Sequence, residues 1–92
     1  MTARWHRVPS GTPGLTAGGY RFGDAGRVAV VCKEYVGGRG RWVYGLADYL
    51  RSPERIENYE PEGWPEDTIV QAKASALYLL DEEAESRTRG TS

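Results

Sequence analysis

His6 is the only imidazole of the chain and Cys32 its only thiol. A nucleophile and its base act together only within hydrogen-bond reach of one another, and neither of these residues has an obvious partner beside it. His6 belongs to a turn-rich N-terminal stretch and reads as an exposed or lightly packed histidine. Cys32 closes the apolar run "VAVVC", where a free cysteine behaves as a small buried hydrophobe. A single cysteine excludes an intrachain disulfide and a cysteine zinc cluster. The carboxylates Glu54, Glu57, Glu60, Glu62, Glu66 and Asp67 have the chemistry of a hard-cation site or an acid–base pair. Their spacing is not that of an EF-hand, and they read as solvated charge. No catalytic residue, metal ligand or cofactor follows from these patterns, and the chain reads as a non-enzyme.

The stretch "KEYVGGRGRWVYGL", Lys33 to Leu46, carries the other chemistry. Arg39 and Arg41 beside Trp42 and Tyr44 combine phosphate-binding charge with stacking rings, a pairing that suits single-stranded nucleic acid. No P-loop lysine and no Gly-X-Gly-X-X-Gly accompany them, which argues against a nucleotide loop. Tyr, Trp and Arg are also the residues that dominate protein–protein hot spots. In the protein-binding reading, Trp42 and Tyr44 are anchors, Arg39 and Arg41 give polar specificity, and Tyr35 and Tyr78 extend the patch.

These residues need elements to hold them. "RVAVVCKEY" (Arg27 to Tyr35) is β-branched and bounded by turn signals, so it predicts a strand. Arg41 to Leu46 predicts its hairpin partner, and the glycines of "VGGRG" serve the connection. Alternation places Val28, Val30 and Cys32 on one face, and Ala29, Val31, Lys33 and Tyr35 on the other. Trp42, Tyr44 and Leu46 share a face and leave Arg41, Val43 and Gly45 opposite. Trp5 to Val8 predicts a short edge strand, because Pro9 and Pro13 exclude a central one. Tyr20 to Phe22 predicts another strand, ended by the turn "GDAG". Ser52 as N-cap with Pro53 at the first helical position predicts a short helix to about Asn58, and "EPEGWP" a connector. The last element is a helix from Pro65 to about Glu85, with Thr68 and Gln71 as an alternative capping box. Its apolar face comprises Ile69, Ala72, Ala76, Leu77, Leu80 and Ala84, with Val70 and Leu79 at its margins and Tyr78 pointing away.

The expected fold is α+β: an antiparallel sheet of three or four strands covered on one face by one C-terminal helix. Residues 1–86 form a single domain, and 87–92 a flexible tail. The order of elements is similar to that of the arm-type DNA-binding domains of phage integrases, a likeness that strengthens the nucleic-acid alternative and assigns no residues. Leu, Ile, Val and Phe make up roughly a sixth of the chain, a level at which disorder enters the reckoning. Three Trp, six Tyr and a net charge of only −1 argue instead for a folded domain with an aromatic core. A core this thin invites a partner or a second copy. With no signal peptide and no membrane-spanning run, the expected compartment is the cytoplasm. Ten Arg against two Lys indicate a GC-rich bacterial or phage source. The expected function is a small protein-binding module, phage-encoded, that modulates a host protein, with homodimerisation open and nucleic-acid binding as the alternative.

Overall fold

A computed structural model describes residues 4–90, including every side chain in that range except those at 36, 63, 64 and 87–90. Five strands precede one helix: β1 (Trp5–Val8), β2 (Gly19–Phe22), β3 (Gly26–Val36), β4 (Arg39–Arg51), β5 (Glu54–Glu66) and α1 (Ile69–Gly90). They form one antiparallel meander in sequence order. The α+β class stands, and the sheet has one strand more than the upper expected number.

The extra strand is β5, which takes the place of the helix expected at Pro53 to Asn58 and of the connector after it. Ser52 and Pro53 form the two-residue turn that folds β5 back on β4, pairing Arg51 with Glu54 and Tyr49 with Ile56. The local helix-start signal lost because Ile56 pays better in the sheet, where it is 3% exposed against Val28, Val30 and Tyr49. Asn58 sits in the left-handed region, φ 53°, at a register shift opposite Leu46 and Asp48. Asparagine tolerates that conformation, and Asn58 Nδ2 donates to Asp48 Oδ2 at 2.9 Å. Beyond this bulge Tyr59 reaches the face of the sheet away from the helix.

Each face of the sheet has its own cover. On one, Ala29, Val31 and Leu46 pack against Ala72 and Ala76 of α1, with Trp5, Tyr20, Phe22, Trp42 and Tyr44 around them. On the other, Val28, Val30, Ala47, Tyr49 and Ile56 lie beneath Leu15, carried by the loop between β1 and β2. The Ile56 amide donates to the Pro13 carbonyl at 2.8 Å, tying that loop to β5. The approach is so close that a Cβ on Gly14 would lie 1.7 Å from the Ile56 oxygen. Both faces being apolar in sequence is thus accounted for.

The helix starts at Ile69, later than the expected Pro65, because Glu66 still pairs with Trp42 in the sheet. Thr68 is its cap: the Gln71 amide donates to Thr68 Oγ1 at 3.2 Å. It runs to Gly90, past the expected end at about Glu85, so the expected tail at 87–92 overlaps helical backbone; 91 and 92 lie outside the described residues. Ala72 and Ala76 are fully buried, whereas Leu77 is half-buried and Ala84 exposed. The seam is therefore rotated toward Leu79 relative to the expected face. Arg27 of β3 ties to the same side of α1, its Nε donating to Glu83 Oε2 at 2.9 Å. This bond holds the Arg27 guanidinium pKa above its ordinary value, against the opposing effect of burial.

Candidate functional site

The hairpin that presents Arg39, Arg41, Trp42 and Tyr44 turns on two residues. Gly37 and Gly38 both have positive φ, 60° and 80°. That is the type I′ requirement, and the twist of such a turn matches that of the flanking strands. The glycines of "VGGRG" are thus explained by the turn itself.

Register then separates the six residues singled out in the sequence. Lys33 faces Trp42, and Val31 faces Tyr44, on the helix-covered side. Tyr35 lies on that side too, with Lys33 Nζ 5.6 Å from the Tyr35 ring centroid and 5.9 Å from that of Trp42. Arg39 and Arg41 belong to the opposite side, where Arg41 pairs with Glu34 in register and its guanidinium lies 3.9 Å from Asp67. The arginines therefore do not share a surface with the rings. Trp42 and Tyr44 are half-buried and packed on the helix-side core, while Tyr35 is 72% exposed.

Tyr44 and Tyr78 do come together, through the helix. They line one side of a surface groove of about 440 Å³ with Ala74, Ser75 and Leu79. On the other flank of α1, Phe22, Leu77, Leu80 and Ala84 line a second groove of about 460 Å³, which Tyr78 and Ala74 also border. Tyr78 is thus a ridge between two apolar grooves, 69% exposed, and Val70 is 74% exposed two turns earlier. Val70, Ala74, Leu77, Tyr78 and Asp81 follow helical spacing along one outward stripe. The pattern was legible as Tyr78 pointing away; the exposure of Val70 and the half-burial of Leu77 were not, because hydropathy alone does not fix the helix rotation.

Two further clusters carry titratable groups. At the far end of the sheet, His6 Nε2 lies 3.1 Å from Asp24 Oδ1, and Arg21 lies 3.7 Å from the same oxygen. The Arg21 guanidinium stacks 3.9 Å above the Tyr49 ring, and Tyr49 Oη donates to Glu54 Oε2 at 2.9 Å. Burial, then the bond to Glu54, raise the Tyr49 pKa. This chain of contacts fastens β1, β2, β4 and the start of β5 to one another. Ser10 bonds the Ala17 carbonyl at 3.4 Å and stands outside it. Cys32 Sγ lies 3.6 Å from Tyr59 Oη on the loop-covered face. Desolvation raises both pKa values; the contact itself lowers that of the thiol and raises that of the phenol. Both groups are thereby kept protonated, the reverse of what a nucleophilic thiolate needs. The acidic residues of β5 are strung along its length, and no three metal-ligating side chains converge among the described residues.

No family model matches the sequence, and no solved structure matches it. Over 53 residues it is 40% identical to acyl-protein thioesterase 1 of Aspergillus fumigatus, a match covering 55% of this chain and 20% of that protein. The chain thus spans about a fifth of the length of that relative. No helix among the described residues is long and apolar enough to cross a membrane.

Proposed function

We propose that the chain is a small non-enzymatic protein-binding module, a modulator of another protein, whose contact face is the outward stripe of α1. The observation that carries this reading is Tyr78 standing exposed between two apolar grooves on a helix whose inner face is already satisfied. An exposed aromatic ridge flanked by aliphatic hollows has the make-up of an interface hot spot. The sheet edges are poor alternatives. Most of β5 is an open edge, but it carries five Glu and two Pro, the devices that block strand addition. β1, at the other edge, is four residues long. The partner that fits offers an apolar helix or loop with basic flanks, because Asp81, Glu82 and Glu85 follow the apolar stripe. Tyr44 contributes from the groove wall, and Tyr35 extends the same side of the molecule. Arg39 and Arg41 act on the other face, outside this contact.

Capture of a partner from a bacterial lysate tests the reading, with wild type and Tyr78→Asp compared side by side after nuclease treatment. The variant is expected to keep the wild-type circular dichroism and melting curve, since Tyr78 packs in no core cluster, and to lose the captured protein. Equal capture by both would contradict the contact face. Hydrolysis of acyl thioesters by the purified chain above the buffer rate would contradict the non-enzymatic reading.

A further inference from the structure

The stagger of β2 and β3 leaves a notch in the sheet. β2 begins at Gly19, and its pairing with β3 is recorded from Tyr20↔Val31 to Phe22↔Ala29, whereas β3 runs on to Val36. The gap, about 160 Å³, is lined by Arg7, Ser10, Tyr20, Lys33 and Trp42, with the backbone of Ala17 to Gly19 closing it. Its two cations are exposed, and neither forms an ion pair among the described residues. No carboxylate lines it. Glu66, which faces Trp42 from β5, is held by the Ser75 hydroxyl at 3.2 Å. Lys33 spans the mouth of the notch, between the Trp42 ring and the exposed ring of Tyr35. Two cations outside any ion pair suit a phosphate; the Ser10 hydroxyl at the rim already donates to the Ala17 carbonyl. A solvent-facing ring one step away suits a base. The gap admits a phosphate and is smaller than a whole nucleotide, so the base must lie outside it.

We propose that this notch binds a nucleoside phosphate, either free or within a single strand, with the phosphate between Arg7 and Lys33 and the base stacked on Tyr35. The site lies apart from the outward stripe of α1, shares only Tyr35 with the protein-binding reading and does not rest on it. It also differs from an arginine hairpin site, since Arg39 and Arg41 are on the other face of the sheet.

Tryptophan fluorescence, with calorimetry as a second readout, tests this on the full chain titrated with AMP, adenosine, inorganic phosphate and a single-stranded octanucleotide. AMP or the octanucleotide is expected to bind at least about tenfold more tightly than adenosine or phosphate. Arg7→Gln and Lys33→Gln should each weaken binding about tenfold, as loss of a charge-assisted contact does. Tyr35→Ala should weaken the nucleotide and leave phosphate unchanged, and the Arg39→Gln/Arg41→Gln double variant should match wild type. All these positions are solvent-facing or half-exposed, and melting curves confirm that the variants fold. An octanucleotide bound more tightly than AMP, with affinity falling steeply in salt, identifies the strand as the source; equal affinities identify the free nucleotide. No binding of either at about 1 mM, phosphate bound as well as AMP, or indifference to Arg7→Gln and Lys33→Gln would overturn the proposal.

Discussion

Tyr59 and Cys32 show what burial does to titration. Each pKa is raised in the folded protein from ordinary values of 10.0 and 9.0. The fold therefore holds both protons more tightly than the unfolded chain does. Their contribution to stability is whole below the unfolded values and is lost as pH climbs through and beyond them. Urea titrations between pH 7 and 10.5 should show stability falling above about pH 9, and Tyr59→Phe should remove part of that fall. The same physics makes Cys32 a slow thiol: at pH 8 it should react with iodoacetamide well below the rate of a free cysteine, and a rate equal to that of glutathione would contradict the assignment. The sequence reads Cys32 as a small buried hydrophobe; in the fold it is half-buried, with the Tyr59 hydroxyl beside its sulfur. Its partner was out of sight, because Tyr59 reaches it only through the bulge at Asn58, and a bulge leaves no pattern in hydropathy.

Elements were legible where periodicity and punctuation agreed. Val28, Val30 and Cys32 alternate with Ala29, Val31 and Lys33, and β3 and β4 follow that alternation with the glycine turn between them. β5 was not legible: Ser52-Pro53 is a genuine helix-start signal, and only the pairing of Ile56 with Tyr49 overrides it. Ile56→Ala should therefore cost about 2–5 kcal/mol in chemical denaturation, whereas a solvated helical turn would lose almost nothing. The helix was found, but its rotation was not. Ala72 and Ala76 lie against Ala29, Val31 and Leu46 with no exposed area, so the two layers meet through small side chains. Ala76→Leu should overpack this seam and destabilise by about 1–3 kcal/mol. Leu77→Ala, at the half-exposed margin, should cost less than the 2–5 kcal/mol of a fully buried leucine.

Across the whole molecule, one chain of 92 residues covers both faces of its sheet, one with α1 and the other with the loop around Leu15. That division decides which of the expected contact residues can act together. Alternation in the sequence already set Arg41 opposite Trp42, and the two-residue turn keeps that separation to the tip of the hairpin. Tyr44 and Tyr78 are far apart in sequence and become neighbours only when α1 lies across β3 and β4, a relation that no local pattern encodes. With the edges blunted by glutamate, proline and shortness, the outward stripe of α1 is the proposed contact face. The most direct measurement is photo-crosslinking from benzoylphenylalanine placed at position 78 or, as the opposite-face control, at position 39. Nuclease-treated bacterial lysate supplies the partners. A discrete protein adduct at 78, whether a second copy or another chain, and none at 39 is the predicted result. No adduct at 78, or the same adducts from both positions, would contradict the assignment of α1 as the contact face.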